Sequence, residues 1–400
     1  MVQLMLEGLG GDCRKANGRS ATTPRQIECY HVNTRLSRRL EDIGDFRLSK
    51  LVLIFYYCLE AVWCRFRHGV ENFYYVPAPG KTSALYRDWL VMFICRRFFK
   101  RVILHWHAAG LGKWLETCTL IRTRSITYRA AGQVQLSVVL SNYNRADAEK
   151  LYPERLEVVN NGIPDPCPDF DTRLLHRRKS RAQLRARLLA GQLLTAAELE
   201  AEGGDPRVLR VLYLAHCTRE KGLFDAIEGV LLANQTLARD RSPVSLRLEV
   251  AGNFVKPGER AEFDELLARP GAAQSIHYLG FVSGERKDQA LREADLFCFP
   301  TYYENENQPV NLIEAMAFGL PIITTRWRSL PEMFPSDYAG LVDIRSPGQV
   351  AAAVPRLMVS ENGETLRRIF LERFTLDRYL AGLADAFRAI ENVPRGAPVG

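Results

Sequence analysis

Two series of short apolar runs, each run followed by a stretch of helical pattern, divide this 400-residue chain. In the first series the pattern predicts strands at 73–76, 102–106, 136–141 and 156–159, with helices at 51–63, 84–98 and 145–151. In the second, strands are expected at 208–215, 244–252, 276–280, 296–300 and 322–325. Helices are expected there at 222–234, 258–268, 309–318, 348–358 and 366–390. Neighbouring parallel strands need a crossover, usually a helix, so this alternation predicts an α/β fold with one parallel sheet per series. Ligands of such sheets bind beyond the carboxyl ends of the strands. Residues 165–171 are rich in Pro and Asp and read as a linker, and 173–202 read as a solvated, charged helical insertion. The expected domains are 1–165, a linker and insertion at 166–206, 207–375, and a closing helix with tail at 376–400. The first 25 residues show little periodicity, and no element is expected there.

Composition narrows the setting. Nine scattered cysteines without a Cys-x-x-Cys pair argue against a disulfide framework or a zinc site. They favour a reducing, cytoplasmic compartment. Neither a secretion signal nor an uncharged apolar run of spanning length is expected. Residues 1–150 hold 23 Lys/Arg against 12 Asp/Glu, a balance of +11, whereas 151–400 hold 31 against 34. One reading of that asymmetry is a generally basic soluble domain. The other is a surface that attracts anionic lipid at the inner face of a membrane, since 63–68 and 96–101 mix basic and aromatic residues. No nucleic-acid motif occurs, and no nucleic-acid partner is expected.

The densest chemistry lies in Phe299-Pro-Thr-Tyr-Tyr-Glu-Asn-Glu306-Asn-Gln308-Pro309-Val310-Asn311-Leu312-Ile-Glu314-Ala-Met-Ala-Phe-Gly319-Leu-Pro321. A buried strand leads into a polar loop. Pro309 suits a first helical turn, and Gly319 suits the residue after its end. Glu306 then precedes a helix start and Glu314 lies about one turn inside. The free amides of 308–312 and the positive helix end make a seat for phosphate oxygens. The carboxylates can accept hydrogen bonds from sugar hydroxyls. Glutamates flanking a helix start also serve as caps or dipole partners. A second block, Ala215-His216-Cys-Thr-Arg219-Glu-Lys221-Gly222, joins a strand to a helix through a lysine, which is unfavourable against the dipole unless it meets an anion. A third, His105-Trp-His107-Ala-Ala-Gly110-Leu-Gly112-Lys113, puts both histidines on one strand face. They read as a structural pair, a metal pair or a site at the strand end. Asn160-Asn161-Gly162 reads as a tight turn with φ > 0.

The Glu-x7-Glu spacing and the Pro-x-x-x-x-Glu-Ala-Met-Ala-x-Gly-x-Pro run resemble the signature of the retaining glycosyltransferase family 4 (group 1 glycosyltransferases, GT-B fold). The resemblance extends from about residue 31 to 390 and is strongest over 208–332. It implies two Rossmann-like domains facing each other across a cleft, with the acceptor in the first and a nucleotide-diphosphate-sugar in the second. Lys221 matches the lysine of the family's Gly-Arg-x-x-x-x-Lys-Gly element. Ala215 and His216 replace its glycine and arginine, so His216, if protonated, or Arg219 stands for the second cation. The resemblance assigns Glu314 to the ribose and Glu306 to the donor hexose or the developing positive charge. It sets Gly252 and Gly280 against the nucleotide, and His107, His105 and Lys113 on the acceptor side. Glu306, Lys221 and His107 are the catalytic candidates. Neither metal nor cofactor is implied, and the acceptor is expected to be a glycan or a lipid-linked glycan. Members begin with a strand and a glycine-rich loop. Here Gly8-Leu-Gly10-Gly11 has no strand before it, which leaves a nucleotide-sugar-binding protein without transferase activity as the alternative.

Overall fold

The computed structural model describes residues 1–14, 27–34, 48–199, 204–358 and 362–391. The chain forms two compact units, Met1–Gly162 with Leu376–Gly400, and Ile163–Thr375. The stretch 166–206 lies within the second unit, and the closing helix belongs to the first.

The first unit is built on β1 (Asn72–Tyr75), β2 (Arg101–Trp106), β3 (Leu136–Val139) and β4 (Leu156–Val158), all parallel and in sheet order β1-β2-β3-β4. Side chains alternate across the sheet, as the period of two requires. Ile103, Leu136 and Val138 pack with Met5, Leu9, Leu383 and Phe387 on one face. Val102, Leu104, Trp106 and Val139 pack with Leu85, Met92, Leu115 and Ala130 on the other. Helix Leu376–Glu391 therefore covers the first face, and helices Thr82–Cys95, Leu111–Cys118 and Ile121–Ala131 cover the second. Residues 2–8 form a short helix that sequence reading missed, with Met5 and Leu6 buried. It packs closely, since a Cβ at Gly8 would lie 2.3 Å from Leu380 Cδ1 and would push that side chain aside. Among the described residues no strand precedes Asn72.

The second unit holds β5 (Val208–Leu214), β6 (Ser245–Ala251), β7 (Ile276–Gly280), β8 (Leu296–Phe299), β9 (Ile322–Thr325) and β10 (Leu341–Val342). All pair parallel in the order β7-β6-β5-β8-β9-β10. Numbered from β5, that is the doubly wound order 3-2-1-4-5-6, with its reversal between β5 and β8. Helix Leu223–Arg239 buries Leu223, Phe224, Ala226, Ile227, Val230 and Ala233, the stripe expected of an amphipathic helix on a sheet. Phe297, Phe299, Met316 and Phe318 are fully buried in the same core. Each such side chain contributes roughly 1.5–3 kcal/mol.

The charged stretch expected to be solvated is mostly exposed or half-buried, but it also buries one stripe. Helix Leu175–Leu189 buries Arg181, Arg185 and Leu188, and Leu174 just before it continues the same stripe. Arg181 reaches Asp295 Oδ1 and Oδ2 at 3.1 and 3.0 Å, and Arg185 lies 3.1 Å from Oδ2. Burial alone would push the Asp295 carboxyl up, but Arg185 and Arg181 bring it down to about 2. The sequence expectation failed along this stripe because a buried carboxylate ahead of β8 draws the arginines inward. The expected single helix over 366–390 is two, Asn362–Arg373 and Leu376–Glu391, and the break coincides with the boundary between the units.

Candidate active site

The reversal between β5 and β8 brings two loops together at the carboxyl ends of those strands. The β5 loop carries His216 to Gly222, and the β8 loop carries Pro300 to Pro309. Gly222 has φ +80°, and a Cβ there would sit 2.3 Å from the Pro300 carbonyl oxygen. The Tyr302 amide donates to Glu220 O at 2.8 Å. A left-handed residue with no side chain is therefore what lets the loops touch.

Out of this contact come the two catalytic candidates of the second unit. Lys221 Nζ donates to Glu306 Oε2 at 2.8 Å, and the Thr301 hydroxyl donates to the same oxygen at 2.9 Å. Glu306 is buried, while the Lys221 side chain keeps a fifth of its surface exposed. The ammonium also lies 4.3 Å from the centroid of the Tyr303 ring, a cation–π contact. A carboxylate removed from water is held there by an ammonium and a hydroxyl. Deleting either partner leaves an uncompensated charge.

Helix Val310–Ala317 begins immediately after, with Pro309 as its cap residue (ψ 130°) rather than its first helical residue. Asn311 Nδ2 donates to Leu214 O at 2.8 Å, tying the helix start to the end of β5. The amides of Val310 and Asn311 have no carbonyl of an earlier helical turn to reach, which makes this end electropositive. Leu312 N turns back to Asn311 Oδ1 at 2.9 Å, and Gln308 is buried. Glu314, one turn in, forms an ion pair with Lys287 from helix Glu285–Glu293. Lys287, Thr301 and Tyr303 escaped sequence reading. The Lys287 contact spans 27 positions, so no local pattern encodes it.

The remaining second-unit candidates divide. His216 is exposed at the end of the β5 loop, and its carbonyl accepts from the Tyr213 hydroxyl at 2.9 Å. The Arg219 guanidinium pairs with Glu262 and lies 4.6 Å from the Phe224 ring, engaged away from Glu306. Gly252 serves a backbone contact, since a Cβ there would fall 1.8 Å from Ala215 O. Gly280 has φ +68° and open space around its Cβ position. Gly252 thus answers close approach together with a positive φ of +156°, and Gly280 answers a positive φ alone.

In the first unit β2 places His105 inside and His107 at its carboxyl end, with ring centroids 4.2 Å apart. His105 is fully buried and its Nδ1 lies 2.6 Å from the Tyr74 hydroxyl. Burial, with His107 beside it, holds the His105 imidazole well below its ordinary range. His107 is pulled down to about 4, mostly by burial and secondarily by the chain's own amino terminus. Both rings are therefore neutral near pH 7, and each keeps a buried Nε2 without a hydrogen-bond partner among the described residues. Lys113 is exposed. Its amide donates to Asp147 Oδ1 at 2.8 Å, and the Gly110 amide to Oδ2 at 2.9 Å, so Asp147 fixes the loop after His107. At 160–162 the expected left-handed turn does not form, since no residue there has positive φ. Instead Asn160 Nδ2 donates to Leu140 O at 2.8 Å.

Known proteins resemble the chain in sequence over part of its length and in fold. Residues 198–372 match the family described as glycosyl transferases group 1. The amylovoran biosynthesis glycosyltransferase AmsK of Erwinia amylovora is 28% identical over 150 residues, 36% of this chain and 35% of its own length. The MMP alpha-(1->4)-mannosyltransferase of Mycolicibacterium hassiacum is 26% identical over 246 residues, 60% of this chain and 49% of its own. The matches span less than half the length of these curated relatives. The crystal structure of Anabaena HepE in complex with UDP superimposes with a TM-score of 0.57 at 15% identity, covering 83% of this chain and 82% of that one. That likeness establishes the fold as GT-B, two units each with a parallel sheet. The fold and the sequence match thus agree, and over residues 198–372 the chain is similar to the group 1 glycosyltransferases.

Proposed function

We propose that the chain is a retaining glycosyltransferase that moves a sugar from a nucleotide-diphosphate-sugar to an acceptor hydroxyl in polysaccharide or lipid-linked glycan synthesis. The observation that carries this reading is the Lys221–Glu306 pair, 2.8 Å apart, at the strand ends flanking the sheet reversal and beside an electropositive helix start. A diphosphate seated on the amides of 308–312 gives Lys221 a second anionic partner, and the ammonium then neutralises charge as it builds on the leaving group. Glu314 accepts hydrogen bonds from the ribose hydroxyls, which draws it from Lys287. Glu306 faces the hexose. In the reaction the bond between the anomeric carbon and the phosphate oxygen breaks as a bond to the acceptor oxygen forms on the same face. The acceptor proton passes to the departing phosphate, so no protein nucleophile enters. The neutral His107 keeps a buried ring nitrogen without a hydrogen-bond partner among the described residues, a group whose chemistry a sugar hydroxyl would satisfy.

Relatives named for amylovoran biosynthesis and for mannosyl transfer support the substrate class. The test is donor consumption by the purified chain with a panel of nucleotide-sugars, run beside calorimetric binding of the same panel. Transfer that disappears in Lys221→Ala and Glu314→Ala is the expected result. Near-normal turnover in either variant overturns the site. A second reading, a nucleotide-sugar-binding protein without transfer, draws on the first unit, which opens with a helix where the family resemblance implies a strand and glycine-rich loop. Tight binding with no transfer to any acceptor selects it.

A further inference from the structure

Helix Leu48–His68 is apolar on two opposite faces. Its inner seam, Ile54, Cys58 and Ala61, packs against Cys95 and its neighbours. Val52, Phe55, Tyr56, Leu59, Trp63 and Phe66 recur at helical spacing on the other side and are between 49% and 69% exposed. Phe98, 37% exposed, extends the strip, its ring 6.0 Å from that of Phe66. Exposed apolar residues scattered singly are ordinary, but a contiguous aromatic strip on one helix face is not. Within 51–64 the one charged residue is Glu60, and its carboxylate is held by Arg14. At the carboxyl end of the strip stand Arg65, Arg67 and Arg97, none of them in an ion pair among the described residues.

We propose that this outward face seats the chain on an anionic phospholipid surface, the aromatic rings entering the headgroup–acyl boundary and the three arginines meeting lipid phosphates. A helix of 21 residues is about 30 Å long, enough for an extended contact. Its inner seam fixes it to the first unit, so it lies along the interface instead of crossing it, and no helix among the described residues is long and apolar enough to span. Tyr and Trp combine an apolar body with a polar tip, the chemistry of a bilayer boundary. The charge asymmetry agrees, because the +11 excess lies in residues 1–150, which include this helix. A purely apolar protein partner would leave the arginines without a counterpart, whereas an anionic lipid layer satisfies both halves of the surface. The inference goes beyond the transfer chemistry and stands without it.

The experiment is co-sedimentation of the full chain with vesicles of phosphatidylcholine alone or with roughly one third phosphatidylglycerol. The protein is expected to pellet with the anionic vesicles and to be released as NaCl is raised. Phe55→Ser, Trp63→Ser and Phe66→Ser combined should lower the partition by about tenfold or more. The melting temperature should stay near that of the parent, since these side chains are largely outside the core. Arg67→Glu with Arg97→Glu should abolish the preference for phosphatidylglycerol. Trp63→Phe should remove the blue shift of tryptophan emission on vesicle addition. Absence of pelleting at low salt overturns the proposal, as does full binding by the triple variant. It is equally overturned if the parent is a dimer in solution that the triple variant dissociates while neither binds vesicles, since the face then pairs two copies.

Discussion

The two sheets of this chain differ in strand order, and that difference decides what each can do. In the second unit the order reverses between β5 and β8, and the loops after those two strands meet at the strands' carboxyl ends, where such sheets bind ligands. Lys221, Glu306 and the electropositive start of helix Val310–Ala317 stand there as charged groups. In the first unit the described strands follow one another as β1-β2-β3-β4, with no reversal. Its strand-end histidines are packed into the face covered by helix Leu376–Glu391 and are neutral. A reversal yields a polar site that tolerates ions. An unreversed sheet yields one built from buried, uncharged rings.

Breaking the charged site should have the largest effect. Lys221→Ala is expected to reduce turnover by about 10³-fold, the scale of losing one preorganised charge donor, as measured by donor consumption with folding checked by melting. A value within a few-fold of the parent would mean that the β5–β8 site is not where transfer occurs. Next comes Asp295→Asn, which leaves Arg181 and Arg185 buried without their counter-ion. Chemical denaturation should show a loss of about 3–5 kcal/mol, and a neutral result would show that carbonyl partners alone suffice for those arginines.

The histidines sharpen the contrast through pH. Because the folded state holds His107 at about 4 instead of 6.5, its contribution to stability is complete above about pH 6.5. It is lost as pH falls toward 4, where the folded state must charge a buried ring. His107→Gln should flatten the dependence of unfolding free energy on pH over that interval by about 2–3 kcal/mol. Parallel curves for parent and variant would refute the buried neutral ring. The smallest effect is expected from Gly280→Ala, about 1 kcal/mol for a left-handed residue with open space around it. Gly252→Ala meets the Ala215 carbonyl and should cost clearly more. Equal melting temperatures for the two variants would contradict the added demand of close approach at Gly252.

Nine of the ten strands among the described residues were legible because each is a short apolar run bounded by turn residues, whereas β10, two residues long, was missed because it is too short to show a pattern. The Glu306, Glu314 and Lys221 positions were legible because strand, loop and helix are contiguous there and the spacing sets the geometry. What escaped depends on distance along the chain. Lys287 meets Glu314 from another helix, and Asp147 reaches back to Gly110 and Lys113. The charged run at 175–189 misled because composition outweighed position. Its buried stripe at 181, 185 and 188, continued by Leu174 just before it, has helical spacing, with arginines in two of the apolar places. Helix Val2–Gly8 has too few turns for periodicity to register.

Gly222 has a consequence for how such a site can change over time. Its missing side chain locks the loop bearing the ammonium to the loop bearing the carboxylate, through Pro300 and the Tyr302–Glu220 bond. Neither loop can lengthen or tilt without dragging the other. The turn at Gly280 is different, because the space beside it is open and atoms can be added there without disturbing the two charges.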